Sequence, residues 1–187
     1  MKHVRLERER FASGDYALRP IFLEDMVAIR IWRNDQMEVL RQARPLSEAD
    51  QQAYYHNRIL PSYERQNTDI ILFCFEHEGS LIGYGGLTNL DWTNMRGEIS
   101  FLMRTDRSDR TESEQYRRDF TAFLELVKAI AFEELHLHRI YTETFNIRDF
   151  HIRVLERCGF VSEGRMRDHV YLQGRFVDSL IHGCIKE

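Results

Sequence analysis

The chain has 187 residues, which predicts one domain spanning residues 1–187, and its 43% hydrophobic and 30% charged content is typical of a globular protein. Its formal charge of −4 argues against a general nucleic-acid-binding protein, which usually carries a net basic face. No apolar run approaches the roughly 18 to 20 residues of a membrane helix, and the N-terminal MKHVRLERER lacks the apolar stretch of a signal peptide. We therefore expect a cytoplasmic protein without a membrane partner.

The first sixty residues predict a short strand followed by two helices. Residues 16–21 (YALRPI) alternate like an edge strand, and apolar residues then recur at helical spacing over residues 23–32. Ser47, with Asp50 three residues later, predicts the start of a second helix. Pro61 is expected to end that helix, because proline interrupts a helix interior.

Three strands are predicted next. Residues 69–76 (DIILFCFE) are apolar on both faces, as in a strand at the centre of a sheet, and residues 81–87 (LIGYGGL) return after a turn as a hairpin partner. Residues 96–103 (RGEISFLM) form the next strand. Side chains alternate along a strand, so Glu98 is expected on the face opposite Ile99.

The C-terminal part begins with the longest predicted helix, residues 116–135, where apolar residues follow a 3.6-residue period. A β-branched and aromatic strand follows at residues 138–145, and a shorter helix at residues 149–158. The last β elements are expected to begin at Phe160, and a final pair of strands at residues 167–172 and 175–185 completes the chain. The predicted order is β, α, α, β, β, β, α, β, α, β, β.

That order, together with the segments AFEELHLHRI, IRVLERCGF, EGR and QGRFVDSLIHG, resembles the GNAT superfamily of acyl-CoA N-acyltransferases over essentially the whole chain. The resemblance implies an α/β fold with a mixed, mostly antiparallel, splayed sheet flanked by helices. It also implies an N-acetyltransferase that moves an acetyl group from acetyl-CoA, as co-substrate, to a small-molecule primary amine. The branch it resembles includes ribosomal-protein N-terminal, spermidine and sugar-nucleotide amine acetyltransferases.

The resemblance suggests two catalytic residues. Glu98 lies where the family places the acceptor amine, so its carboxylate could take the ammonium proton, although it could equally be a cross-strand glutamate. The family's usual acidic tyrosine is replaced by Leu155. His151, one turn earlier, could protonate the leaving sulfur near neutral pH, or could simply pack on the helix surface beside Phe150.

The cofactor site departs from the family pattern. GNAT enzymes usually carry Q/R-x-x-G-x-G/A before the long helix, whereas residues 115–120 read QYRRDF, without either glycine. Positive charge from Arg117, Arg118 and Arg110 could replace the glycine-lined contact with the pyrophosphate. Alternatively, the site no longer binds acyl-CoA well. The expected cofactor-binding residues are Phe101, Leu102, Met103, Gln115, Tyr116, Arg117, Arg118 and Asn146.

The acceptor should lie against the N-terminal helices and the segment that follows the second strand of the hairpin. The residues expected there are Trp32, Arg33, Asn34, Arg41, Asn89, Asp91 and Trp92. Rings and arginines would suit an amino-sugar nucleotide, which is the leading hypothesis for the acceptor. A protein N-terminus, a polyamine, or a non-catalytic acyl-CoA-binding module remain as alternatives. We expect a monomer or a homodimer.

Cysteine and histidine usage predicts neither a disulfide framework nor a metal site. Cys74, Cys158 and Cys184 are far apart and odd in number, which fits a reducing compartment. His136 and His138 are close in sequence but are more often a surface pair than metal ligands.

Overall fold

The computed structural model describes residues 1–108 and 113–186. Within them, eight strands form one sheet: β1 Phe11–Ser13, β2 Tyr16–Pro20, β3 Ile71–His77, β4 Ser80–Asp91, β5 Arg96–Met103, β6 Arg139–Phe145, β7 Val161–Leu172 and β8 Arg175–Ile185. The α-helices are α1 Asp25–Asp35, α2 Glu48–Tyr54, α3 Leu60–Ser62, α4 Glu114–Ala129 and α5 Asp149–Arg157. Short 3₁₀ turns lie at Met37–Val39 and Thr105–Arg107, and π turns at Tyr55–Ile59 and Ile130–Glu134.

The strands lie in the order β1-β2-β3-β4-β5-β6-β8-β7. Neighbours are antiparallel except β5 and β6, which are parallel and pair only from Arg96 to Glu98 on β5. β5 then continues to Met103 and β6 to Phe145 without further pairing between them. The sheet is therefore mixed, mostly antiparallel and splayed at its centre, and the predicted GNAT fold is confirmed.

Two apolar clusters cover the two faces of the sheet. Along β3, Ile71, Phe73 and Phe75 belong to a cluster with α4 and α5, whereas Leu72 and Cys74 belong to a cluster with α1. This alternation explains why the strand is apolar on both faces. The opening between β5 and β6 therefore lies between two layers of helices, one on each face of the sheet.

Helix α2 begins as the sequence predicts. The Ser47 hydroxyl accepts a hydrogen bond from the Asp50 amide at 3.1 Å, and the Asp50 carboxylate accepts one from the Ser47 amide at 2.8 Å. The helical stretch continues from α2 through the π turn at Tyr55–Ile59 and ends with α3 at Ser62, one residue after Pro61. The predicted end at Pro61 is therefore correct to within one residue.

Most other boundaries lie close to the predicted ones, but β4 runs on to Asp91 instead of ending at residue 87. β5 coincides with the predicted residues 96–103, whereas β1 was not predicted, since three residues are too few to show a period. β7 starts at Val161, next to Phe160 where the last β elements were expected to begin, and register shifts near Gly164 and Met166 interrupt its alternation before the predicted residues 167–172. No helix in residues 1–108 or 113–186 has the length and apolar character needed to span a membrane.

Candidate active site

A cleft opens where β5 and β6 part. The two strands are paired up to Glu98 and Tyr141, and the space beyond holds about 220 Å³. Residues of β4, β5 and β6 line it, together with α4, the start of α5 and the connection between α1 and α2. Because β5 and β6 do not bond to each other along this opening, their backbone groups are available to a bound molecule.

Two carboxylates lie on the α1 side of this opening. Glu98 is opposite Tyr141 in the parallel pair, and Glu143 is two residues farther on, so alternation places Glu98 and Glu143 on one face. The Glu98 carboxylate is nearly buried and accepts a hydrogen bond from Asn89 Nδ2 at 2.7 Å. Arg41 Nη2 lies 3.1 Å from Glu98 Oε1 and 2.8 Å from Glu143 Oε2. One guanidinium nitrogen therefore joins the two acidic side chains.

A buried histidine lies on the α4 side of the same cleft. His151 Nδ1 is 2.5 Å from Tyr116 Oη, and its ring stacks on Phe120 with centroids 4.2 Å apart. Burial, and next the charge of Arg148, hold the His151 pKa well below its ordinary value of 6.5. The histidine is thus neutral at neutral pH. A proton donated by His151 at neutral pH would therefore come from a neutral imidazole and not from an imidazolium.

Arg33 and Asn89, both expected at the acceptor, do line the cleft. Arg33 is fixed by Nη1 donating to Tyr84 Oη at 2.6 Å and Nε donating to Gln42 Oε1 at 3.0 Å. Two uncharged side chains therefore hold the Arg33 guanidinium at the wall of the cleft.

Trp32, Asp91 and Trp92 do not line the cleft. Trp32 is buried in the apolar cluster with α1, as a large ring commonly is. Trp92 donates from Nε1 to the Thr68 carbonyl at 2.7 Å, beneath the guanidinium of Arg5 at 4.1 Å. Asp91 is bonded within its own turn, accepting a backbone amide at 2.9 Å. The two tryptophans expected at the acceptor therefore pack within the fold and do not line the cleft.

The three β5 residues expected to meet the cofactor have different surroundings. Phe101 lines the cleft, while Leu102 and Met103 are buried in opposite apolar clusters. The Met103 carbonyl already accepts a hydrogen bond from Gln36 Nε2 at 2.8 Å. A β-like contact with a bound chain is therefore best accommodated near Phe101.

Asn146 follows β6 with an exposed side chain. Its backbone amide donates to the Asp178 carbonyl at 2.9 Å. The N-cap residue of α5 is Arg148, whose side chain makes no capping bond, so the Asn146 side chain does not cap this helix.

At the start of α4, the expected phosphate-binding side chains are engaged in local contacts. Gln115 Nε2 donates to buried Asp119 at 2.7 Å, and Arg118 donates to Gln115 at 3.3 Å. Arg117 pairs with Glu114 one turn earlier. Arg117 and Arg118 remain at the surface, where they can exchange these contacts for a phosphate.

The positions of the missing family glycines are occupied by Arg118 and Phe120. Phe120 lines the cleft and stacks on Phe101 with centroids 4.6 Å apart. Tyr116, expected at the cofactor, is fully buried behind the cleft wall, where it contacts the lining residues His151, Phe120 and Arg148. Arg110, the third arginine considered for the pyrophosphate, lies outside the described residues.

Among the cleft residues that the sequence did not single out, two polar ones on β6 bear on the chemistry. Glu143 and Thr142 lie on β6, which the sequence indicated only as a strand. The alternation of HRIYTETF placed them on opposite faces, but their proximity to Glu98 depends on the β5–β6 register. Thr142 is almost fully buried, and its hydroxyl has no hydrogen-bond partner among residues 1–108 and 113–186.

A possible metal-ligating group lies elsewhere. Asp15, His77 and Glu78 have donor atoms within 4.8 Å of one another at the β2–β3 end of the sheet, and none of them lines the cleft. Both carboxylates are exposed, a common arrangement without a metal.

Comparisons with known proteins agree with this geometry. A model of the acetyltransferase (GNAT) domain matches residues 18–181. The Bacillus subtilis protein named "Putative ribosomal N-acetyltransferase YdaF" is 30% identical over 134 residues, covering 71% of this chain and 69% of that protein.

Solved structures show the same fold. Spermidine N-acetyltransferase from Vibrio cholerae, in complex with CoA and spermine, has a TM-score of 0.77 at 19% identity, covering 92% of this chain and 96% of that one. A probable acetyltransferase has a TM-score of 0.70 at 28% identity, covering 93% and 94%. The chain belongs to the GNAT family of N-acetyltransferases, enzymes that use acetyl-CoA.

Proposed function

We propose that the chain transfers the acetyl group of acetyl-CoA to a cationic primary amine that enters from the Glu98 side of the cleft. The observation that carries the proposal is the opening between β5 and β6, with a carboxylate on one face and a buried neutral histidine on the other. Acyl transfer to an amine needs a base for the ammonium proton and a donor for the departing sulfur. The two sides of the cleft offer these groups.

The cleft fits the pantetheine arm of acetyl-CoA. Beyond Glu98 the backbone edge of β5 has no partner on β6, and the Thr142 hydroxyl opposite it is buried without a partner among the described residues. A buried hydroxyl without a partner costs about 1 to 3 kcal/mol, so an amide of the arm would relieve that cost. Acetyl-CoA supplies the thioester, and the cleft holds that thioester between Glu98 on one side and His151 on the other.

In this proposal Glu98 accepts the ammonium proton and thereby makes the amine nucleophilic. Asn89 fixes the carboxylate by its hydrogen bond at 2.7 Å. In the tautomer that the proposal requires, Tyr116 donates to His151 Nδ1 while its oxygen accepts from Nη2 of Arg148 at 3.5 Å. His151 Nε2 then carries the hydrogen and can donate it toward the leaving sulfur. The proton that stabilises the thiolate is drawn from the Tyr116–His151 pair rather than from an imidazolium.

The acidic pair favours a cationic acceptor over an amino-sugar nucleotide. The rings on which stacking of a nucleotide would depend, Trp32 and Trp92, do not line the cleft. Glu98 and Glu143 instead provide two carboxylates that would attract an ammonium group. A polyamine or another alkylamine is therefore our leading acceptor. A protein N-terminal amine is the second candidate, favoured by the name of the Bacillus subtilis relative.

An assay of thiol release from acetyl-CoA tests the proposal. The amines to compare are spermidine, a monoamine, an amino-sugar nucleotide and a short peptide with a free N-terminus. We expect turnover with the alkylamines or the peptide and none with the sugar nucleotide. Binding of acetyl-CoA in calorimetry without release with any amine would instead support a non-catalytic module, and absence of binding would overturn the cofactor assignment.

Three further proposals concern the chain as a whole. We propose a single domain over residues 1–187, a cytoplasmic location consistent with cysteines that form no disulfide, and a monomer or homodimer. One similar Vibrio cholerae structure is dodecameric, which applies to that protein. Light scattering on the purified protein would measure the assembly of this one.

A further inference from the structure

The contact between Arg41 and the two cleft carboxylates has unusual geometry. A single nitrogen, Nη2, lies 3.1 Å from Glu98 Oε1 and 2.8 Å from Glu143 Oε2. Arginine usually binds one carboxylate with two parallel N–H groups, as Arg44 binds Asp50 at 2.8 and 2.9 Å. One nitrogen between two carboxylates is the arrangement that a primary ammonium, with its three N–H donors, would satisfy.

We propose that Arg41 Nη2 occupies the place of the acceptor's ammonium group and must leave before the acceptor binds. The inference rests on the proposed function and deepens it, because it assigns the reacting amine to the position between Glu98 and Glu143. Arg41 is then a built-in competitor. It also keeps two neighbouring carboxylates from repelling each other while the site holds no amine.

The structure allows Arg41 to move without rearrangement of the chain around it. Its side chain is 49% exposed, and ion pairs at such sites add little stability. The next residue, Gln42, is held by Arg33 at 3.0 Å and by Asn34 at 3.0 Å. The backbone is thus anchored beside Arg41, and rotation of one long side chain into solvent is enough to open the site.

The carboxylates, by contrast, are fixed. Glu98 accepts a hydrogen bond from Asn89, and Glu143 lies on β6, which pairs with β8 along its whole length. The other Glu143 oxygen, Oε1, is buried and has no hydrogen-bond partner among the described residues. Departure of Arg41 would leave a small acidic site of fixed width. Such a site selects a compact cationic headgroup and disfavours an anionic acceptor.

An alternative role for Arg41 predicts the opposite change in acceptor binding when the arginine is removed. If Arg41 instead binds an anionic part of the acceptor, removing it weakens acceptor binding. If it competes with an ammonium group, removing it strengthens binding. The apparent affinity for a ligand is reduced by the fraction of molecules whose site is open, so a site open about one tenth of the time predicts a roughly tenfold gain.

The experiment compares Arg41→Ala with the matched control Arg44→Ala, whose arginine lies on the same segment but binds Asp50 and the Pro45 carbonyl, away from the two cleft carboxylates. The probe is n-butylammonium, titrated by NMR in the absence of acetyl-CoA, so that the result does not depend on turnover. We expect roughly tenfold tighter binding in Arg41→Ala and no change in Arg44→Ala. Added guanidinium ion should compete with the probe in Arg41→Ala far more than in the wild type.

Two more variants exclude trivial explanations. Arg41→Gln retains much of the side-chain stem and should show the same gain, which guards against a folding defect of the alanine variant. Arg41→Ala combined with Glu143→Gln should lose most of the gain, because one carboxylate of the site is gone. Unchanged or weaker probe binding in folded Arg41→Ala and Arg41→Gln would overturn the proposal.

Failure of the Arg41 proposal is distinguishable from failure of the proposed function. Turnover of alkylamines by the wild type, with no effect of either Arg41 variant on probe binding, removes only the role of Arg41. A gain in probe binding without thiol release from any amine in any variant keeps the ammonium site and removes the catalytic proposal.

Discussion

Replacing Glu98 by glutamine removes a base while leaving most of its surroundings in place. The amide oxygen can still accept from Asn89 Nδ2, which lies 2.7 Å from the carboxylate, and Arg41 keeps its contact with Glu143 at 2.8 Å. The lost contact with Arg41 at 3.1 Å involves a guanidinium that is 49% exposed, so we expect a stability loss of at most about 1 kcal/mol. The variant should therefore fold.

The expected effect on catalysis is much larger than the effect on stability. Loss of a general base lowers kcat/KM by about 10² or more, which corresponds to about 2.7 kcal/mol in the barrier. The deficit should narrow as pH rises toward the ordinary amine pKa of about 10.4, because more of the acceptor is already deprotonated. Affinity for acetyl-CoA should barely change, since the carboxylate faces the acceptor side.

The assay is thiol release with the best amine found, measured from about pH 6 to about pH 9, a range that covers most of the approach to the amine pKa. Glu125→Gln is a suitable control, because it makes the same charge change on an exposed face of α4. A folded Glu98→Gln protein with near wild-type kcat/KM across this range would remove Glu98 from the mechanism. Glu143, the other carboxylate of the cleft, would then be the next base to test.

Four further predictions concern the start of α4, the Tyr116–His151 pair, the aromatic core and His3. Replacing Arg117 and Arg118 together by alanine should weaken acetyl-CoA binding severalfold more than pantetheine binding in calorimetry, and less so in high salt; equal weakening would exclude phosphate contacts. Tyr116→Phe should lower kcat roughly tenfold, the size of one hydrogen bond, with unchanged affinity for acetyl-CoA; an unaltered kcat would remove the proposed proton donor. Phe123→Ala, at a fully buried ring packed on two others, should cost about 3 to 5 kcal/mol in urea unfolding; a loss below about 1 kcal/mol would contradict that packing. Burial lowers the pKa of His3 to about 4, so the unfolded chain binds the proton first and His3 should contribute a stability loss of about 3 kcal/mol as pH drops from 6.5 to 4; His3→Phe should remove this contribution and leave that of the carboxylates.

The local patterns of the sequence were sufficient for the fold. The two-residue alternation of residues 96–103 placed Glu98 opposite Ile99, and the structure has both on the faces expected. The 3.6-residue period predicted α4, and Ser47 with Asp50 predicted the start of α2. These features depend on contacts within a few residues, which the order of side chains fixes directly.

Local patterns were less informative about the ends of elements. Pro61 marked the helix end to within one residue, but β4 continues to Asp91, four residues beyond its predicted end at residue 87. Trp32 and Trp92 were assigned to the acceptor surface because tryptophan often stacks on ligands, yet one is buried in the core and the other bonds to the Thr68 carbonyl. A single sequence does not tell a packed ring from a binding ring.

The sequence by itself therefore determined the elements, the family fold and the face on which Glu98 lies. Only the tertiary structure joined Arg41 to Glu98 and Glu143, and Tyr116 to His151. These partners are separated by tens of residues, and their meeting depends on the β5–β6 register and on where that pairing stops. Register and divergence are set by packing of whole layers against the sheet, and no local period records them.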